Sequence, residues 1–465
     1  MQTEHTRRHL ISLLVVVTVV FSAATHTSAN EAMKSRIDRL VQPYLDGKVV
    51  VGMTVGVWQK GKATIVGYGR LAHDDQRQPD GDTVYEIGSV SKVFTGVLLG
   101  DAVARGRLKL EQPVQDLLPQ GVKMPIRGER PITLRDLATH VSGLPTLPDN
   151  FRPADNSNPY ADYTVERLYA FLNGYKLTRS PGAKSEYSNL AGGLLGHVLS
   201  LKAERTYEQL LRERIATPLG MSHTNITLNA KLRSRLAKPH LDDGTAAANW
   251  DIPTLAGAGA IRSTVNNMLR FVRASLNPPP GDVGKAIEIA WQVHQQPLAK
   301  EGFAMGLGWH LAQDGQTRWH NGQTGGYHAM MLVNRQLKTG VVILANTATM
   351  EIDRLAQDIF KMSAGATVEP RTFDKPANVA KEIMQRYVGK YELVPGFVLT
   401  VSVEDEKLMV GATGQQTLQV YARSDSEWFY KVVEATLTFQ VDENGNCQSV
   451  ELFQNGVRQK AKRID

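Results

Sequence analysis

The sequence predicts an α+β protein: an antiparallel sheet with flanking helices and an all-helical insertion, then a small C-terminal antiparallel β-barrel. Three observations carry this. β-forming segments stand at both ends of a long, mostly helical stretch; a polar, proline-containing break follows near residue 364; short β-forming runs with tight-turn signals fill the remainder. With 465 residues and 42% hydrophobic content, the chain can bury one large core and a second, smaller one.

Residues 1–29 read as an export signal: Arg7 and Arg8, an apolar run over residues 10–24, and a small-residue cleavage site at Thr27-Ser28-Ala29. The apolar run is shorter than the roughly 20 residues that span a bilayer, so no stable membrane anchor is expected. Its loss would remove Arg7, Arg8 and Glu4 and lower the net charge of +7 by one. The remaining lysines and arginines are scattered among acids, the pattern of a solvated surface rather than of a nucleic-acid partner. The sole cysteine, Cys447, permits no intramolecular disulfide, and no lipid-attachment cysteine follows the signal. A periplasmic or secreted location is expected; the oligomeric state is not legible.

Residues 30–363 form the expected first domain. Met33, Ile37, Leu40 and Val41 recur at helical spacing. Residues 49–58 and 63–68, split by Gln59-Lys60-Gly61-Lys62, read as a hairpin. Helices are expected over 90–105, 134–139, 165–173, 190–203 and 207–216, strands over 329–333 and 341–345, and a last helix over 350–362. Residues 364–380 read as a linker. Residues 381–465 hold seven or eight short β-forming runs, with turns such as Asn444-Gly445 and Asn455-Gly456.

The chemistry concentrates in three segments. In Tyr85-Glu86-Ile87-Gly88-Ser89-Val90-Ser91-Lys92, a strand runs into a helix with Ser89 at the junction. A helix N-terminus leaves the Ser89 N–H free to donate and puts positive dipole beside it. Lys92 lies one turn on, on the same face, where its amine reaches the hydroxyl. A serine hydroxyl needs such a neighbour to take its proton. Taken alone, Ser-x-x-Lys also describes an N-cap serine with a surface lysine.

The second segment is Tyr187-Ser188-Asn189, before an apolar helix. Tyr187 reads as a proton shuttle whose pKa nearby cations would lower from about 10. Asn189 offers an amide to a substrate carbonyl and to Lys92; the plain alternative is a helix cap beside a packed tyrosine. The third is Trp319-His320-Asn321-Gly322-Gln323-Thr324-Gly325-Gly326-Tyr327, a Gly-rich turn entering a strand. There the Gln323 N–H would be a second oxyanion donor and His320 would point into the cleft, with Asn321 and Gly322 lining it. The alternative is a simple hairpin turn.

Together the three segments resemble the penicillin-recognising serine hydrolase superfamily, in particular class C β-lactamases and related D,D-peptidases. Residues 88–102, Ile132-Thr133-Leu134-Arg135-Asp136-Leu137-Ala138-Thr139-His140 and Ser142-Gly143-Leu144-Pro145 carry the resemblance further, over about residues 31–363. It implies a β-lactamase/transpeptidase-like fold, acylation at Ser89, Lys92 and Tyr187 as the base pair, and Asn189 orienting substrate. It also implies a place for Asn346 near a substrate carboxylate. The C-terminal part resembles lipocalin-like barrels appended to some relatives.

Two departures stand out. His320-Asn321-Gly322 replaces the Lys-Thr-Gly usual in class C enzymes, and a neutral histidine binds a carboxylate less well than an ammonium. No glutamine for a β-lactam side-chain amide appears among Thr146, Leu147 and Pro148. Four functions follow: hydrolysis of β-lactam amides, cleavage of D-amino-acid peptides by a carboxypeptidase, endopeptidase or aminopeptidase, hydrolysis of short acyl esters, or a catalytically weak penicillin-binding sensor. The first is expected. Neither a metal motif nor a phosphate loop is present in the sequence, so no cofactor and no metal are expected.

Overall fold

The computed structural model describes residues 30–465 except 301, 374–376, 416, 431, 432 and 434. The expected signal peptide lies outside the described residues. The chain divides into two compact units, the first ending at Arg371 and the second beginning at Thr372.

The first unit holds nine strands: β1 Gly52–Gln59, β2 Lys62–Gly69, β3 Val84–Glu86, β4 Arg262–Thr264, β5 Ala304–Met305, β6 His310–Leu311, β7 Arg318–Gln323, β8 His328–Asn334 and β9 Thr339–Ala345. Seven form one antiparallel sheet ordered β2-β1-β9-β8-β7-β6-β5, and β3 pairs with β4 apart from it. The expected hairpin closes with Gln59 opposite Lys62, and β1 also pairs with β9, Val55 opposite Ile343. The two ends of the domain thus meet in one sheet. β8 and β9 are buried at every position, as strands covered on both faces must be.

Helix Val265–Leu276 packs on β1 and β9. Gly56 and Gly340 make the room: a Cβ at Gly56 would lie 2.5 Å from Val265, and one at Gly340 2.3 Å from Val272. The sequence reading passed over this helix and the next, Asp282–Trp291. Val265, Met268, Leu269 and Val272 carry the i, i+3, i+4, i+7 signal of the first. On the sheet's other side, helix Glu351–Ser363 lies on β8 and β9. The expected helix over 207–216 is an α-helix at Tyr207–Leu211 that widens into a π-turn at Arg212–Ala216.

Helix Ser91–Ala104 is buried from Ser91 through Asp101, lying against helices Asp282–Trp291 and Asn189–Ala203. It is apolar around its whole circumference, as a central helix must be. Phe94 stacks on Phe271 at 4.4 Å between ring centres. This packing holds the first turn of the helix, and hence Lys92, rigidly.

In the second unit, helix Lys381–Tyr387 leads into eight antiparallel strands, from Gly389–Val394 to Val457–Arg463, each paired with the next and the last with the first. Leu399 and Val401, Leu408 and Val410, and Leu437 and Phe439 alternate inward at a spacing of two and fill the barrel. The described residues of 364–380 carry no helix or strand.

Candidate active site

Strand β3 ends at Glu86, and Gly88–Val90 form a 3₁₀ turn before helix Ser91–Ala104. Gly88 sits at φ +49°, a left-handed conformation that disfavours a side chain. The N-cap of that helix is Val90, without a side-chain capping bond, rather than Ser89. The half-buried Ser89 hydroxyl accepts a hydrogen bond from Lys92 Nζ at 2.9 Å.

Lys92 is 3% exposed. Its Nζ has two other acceptors, Asn189 Oδ1 and the Ala258 carbonyl oxygen, both at 2.8 Å. Among the described residues no carboxylate pairs with it, and burial pushes its pKa well below the usual lysine value. Geometry and electrostatics agree on one point: the amine has a fixed pair of acceptors, and its third direction faces the serine.

Ser188 builds the opposite wall. Its Oγ accepts from the Ala191 N–H at 2.9 Å and donates to the Pro145 carbonyl at 2.6 Å, capping helix Asn189–Ala203. The cap fixes its two neighbours. Asn189 holds Lys92 through Oδ1 and turns Nδ2 toward the Tyr160 hydroxyl at 3.5 Å. The Tyr187 hydroxyl is turned toward Ser89, and the ring centre lies 4.8 Å from Lys92 Nζ. Tyr187 as a residue is 36% exposed, at the cleft mouth. Burial raises the Tyr187 pKa, outweighing the Ser89 hydrogen bond that lowers it. The expectation that cations depress this phenol is therefore reversed: one amine on the ring face does not offset the loss of water around the oxygen.

Beneath Tyr187 lie three histidines. The His140 ring is 4.6 Å from that of Tyr187, and His310 is 4.9 Å from His320 and 6.4 Å from His140. His140 is held by the Leu134–Ala138 helix, whose Thr133–Asp136 capping box anchors the preceding turn. Its Nδ1 accepts from the Ser188 N–H at 3.2 Å. Burial and the nearby Lys92 depress all three pKa values, that of His310 to about 4. His320 is fully buried, with Nδ1 donating to the Asn321 carbonyl and Nε2 enclosed without a partner. It lies under Tyr187 as a neutral ring, rather than in the open cleft as a cation.

β7 closes the site from the other side. The sequence reading placed a turn here; the strand continues through Gln323 before turning. A Cβ at Gly322 would stand 2.1 Å from the Ile87 carbonyl oxygen and 2.7 Å from the Ser89 nitrogen. One at Gly88 would stand 2.7 Å from the Gln323 nitrogen. Gly322 thus makes room for the backbone of Ser89, and Gly88 for that of Gln323, so the two backbones pass close together. The Asn321 side chain points away from Ser89: its Nδ2 donates to Asp353 Oδ2 at 2.6 Å. Asn346, at the end of β9, is fully buried, and its Nδ2 donates to the Leu71 carbonyl at 2.9 Å. Its hydrogen bond runs to the connection after β2, not to the cleft.

Sequence reasoning missed Tyr160, Ala258 and His310. Ala258 has a legible signal: Ala256-Gly257-Ala258-Gly259 faces Gly192, Gly193 and Gly196, small residues on both sides that let a backbone carbonyl reach a buried amine. A cavity of about 360 Å³ opens beside Tyr187, lined by His140, Leu298, Phe303, Met305 and His310 among others. Among the described residues, no three His, Cys, Asp or Glu side chains are grouped to hold a metal ion.

Ser89, the buried Lys92 and Tyr187 meet where two helix starts face an antiparallel sheet, an arrangement that suits a β-lactamase-like serine hydrolase. Residues 37–365 match the family model described as Beta-lactamase. The chain belongs to the beta-lactamase family. It is 30% identical over 278 residues to a beta-lactamase of Pseudomonas fluorescens, covering 59% of this chain and 73% of that one. It is 29% identical over 271 residues to the D-alanyl-D-alanine-carboxypeptidase/endopeptidase AmpH of Escherichia coli K12, covering 57% and 69%. A class C beta-lactamase mutant superposes with a TM-score of 0.63 at 23% identity, over 72% of this chain and 98% of that one, a likeness of fold. Residues 374–463 match a domain of unknown function, DUF3471.

Proposed function

We propose that this chain hydrolyses β-lactam amide bonds through an acyl-enzyme on Ser89. The observation that carries the reading is the Lys92 amine, buried without a counter-ion and 2.9 Å from the Ser89 hydroxyl. With Asn189 Oδ1 and the Ala258 carbonyl taking two N–H groups, a neutral amine turns its lone pair to Ser89 and accepts the hydroxyl proton. Ser89 Oγ attacks the carbonyl carbon, and the oxyanion forms between the Ser89 and Gln323 N–H groups. Tyr187, kept protonated by burial, donates to the departing nitrogen as the C–N bond breaks, and Lys92 reprotonates it. Water then cleaves the ester, with the same groups moving its proton in reverse order.

The neutral His320 supports a second reading, cleavage of D-amino-acid peptides or short esters, with the cavity beside Tyr187 taking the leaving group. Residues 1–29 would direct the chain to the periplasm or the exterior, and we read the barrel as a lipocalin-like closed meander. Intact-protein mass spectrometry with penicillin and cefalotin tests the proposal, alongside turnover of nitrocefin, a D-alanyl-D-alanine peptide and p-nitrophenyl butyrate. A transient Ser89 adduct with nitrocefin turnover is expected. A persistent adduct with peptide or ester turnover establishes the second reading, and no adduct or turnover on any of them sinks both.

A further inference from the structure

We propose that Asp353, on the face of the sheet away from the nucleophile, is the positioning residue that holds the Gln323 oxyanion donor in place. The inference rests on the acyl-enzyme reading above. In a strand, alternate residues share a face, so His320 and Gly322 face the nucleophile while Asn321 and Gln323 face helix Glu351–Ser363. Asp353, in the first turn of that helix, uses both carboxylate oxygens on this back face. Oδ2 accepts from Asn321 Nδ2 at 2.6 Å, and Oδ1 pairs with His328 Nε2 at 2.7 Å. The other nitrogen of His328, Nδ1, hydrogen-bonds Gln323 Oε1 at 3.0 Å, and the two residues lie directly opposite each other in the β7–β8 register.

One carboxylate therefore anchors both residues flanking Gly322, the residue whose backbone lies against Ser89. His328 is 1% exposed, so its link is shielded from competing water. From the front, β7 has no freedom to advance, because the Ile87 carbonyl and the Ser89 nitrogen occupy the space a Cβ would need. From behind, Asp353 keeps it from retreating or rotating. A donor to a developing oxyanion is effective only within a few tenths of an ångström of its place, so a carboxylate that touches no substrate sets the rate.

The test is steady-state and pre-steady-state hydrolysis of nitrocefin and p-nitrophenyl acetate by the full chain, with Ser89 labelling by a fluorophosphonate as a separate measure. Asp353→Ala is expected to lower kcat by about tenfold to hundredfold, with KM within about twofold. Asp353→Asn, which keeps one acceptor oxygen, is expected to recover most of the loss. Asp358→Asn breaks a 2.8 Å link to Arg371 from the same helix and is expected to leave kcat unchanged. Asn321→Ala combined with Asp353→Asn should cost no more than the worse single variant. Native kcat in Asp353→Ala, equal losses in Asp353→Ala and Asp358→Asn, or additive losses in the double variant would overturn the inference. If Asp353→Ala does not fold, Asn321→Ala against Asp358→Asn decides: a kcat loss in the first and none in the second is expected, and equal values overturn the inference. Failure of the native chain to label or hydrolyse strikes instead at the acyl-enzyme reading.

Discussion

Lys92 Nζ donates to the Ala258 carbonyl oxygen at 2.8 Å, and no side-chain substitution can delete that acceptor. With Asn189 changed, that acceptor is expected to remain, whereas changing Lys92 itself empties the socket. Lys92→Met is expected to lower the acylation rate by about 10²–10⁴-fold while the melting temperature holds or rises, because an uncompensated buried amine is replaced by an apolar chain of similar length. Stopped-flow acylation and thermal unfolding of the same sample check both halves. Lost activity accompanied by collapsed stability would contradict it.

Tyr187 is assigned to protonate the leaving group, so its importance should scale with how badly that group needs a proton. Tyr187→Phe is expected to cost about 10²–10⁴-fold on amide substrates but under about tenfold on p-nitrophenyl acetate, whose phenolate departs unaided. The ratio of the two losses is the measurement. Equal losses would move Tyr187 to the attack step.

The histidines beneath Tyr187 make the fold sensitive to acid. His310 titrates near 4 in the folded chain against an ordinary 6.5, so between those values the unfolded chain binds a proton that the native state refuses. Its contribution to stability is complete above about 6.5 and is lost as the pH falls toward 4. Melting temperature should drop across that window, and His310→Gln should flatten the drop. An unchanged slope in the variant would show that other groups set it.

Gly322→Ala tests the contact between β7 and the nucleophile. Its Cβ would meet the Ile87 carbonyl oxygen at 2.1 Å. Backbone on both sides cannot yield as a flexible side chain can, so a loss of about 1–3 kcal/mol in urea unfolding and near-complete loss of Ser89 labelling are expected. Native labelling would show that the strand can move.

The barrel should fold alone. It has its own core around Tyr391, Leu437 and Phe439, with Tyr387 of its leading helix stacked on Phe439 at 4.2 Å, and its closure leaves no open edge. A Thr372–Asp465 fragment is expected to unfold cooperatively by circular dichroism; a flat, non-cooperative melt would show dependence on the first unit.

The sequence made legible what rests on local pattern. Ser89 at a strand–helix junction, Lys92 one turn on, and the Asn-Gly turns of the barrel follow from spacing and turn chemistry. Residues whose role depends on distant partners were not legible in that way. Nothing near Asp353 in the sequence points to Asn321, and Ala258 acts through a carbonyl that every residue possesses. His320 and Asn321 were read as cleft residues because β7 was taken for a turn; once it is a strand, alternation sends their side chains to opposite faces. Asn346 was placed by resemblance, and its burial against Leu71 comes from the β1–β9 pairing that only the assembled sheet provides.

That pairing also sets an order of events in synthesis. Gly52–Gln59 stays without its inner neighbour until Thr339–Ala345 has been made, some 280 residues later. A nascent chain halted before β9 lacks the strand that joins the β1–β2 hairpin to β8 and β7. Contacts of such long range form slowly, so the sheet remains unfinished through most of the chain's own translation.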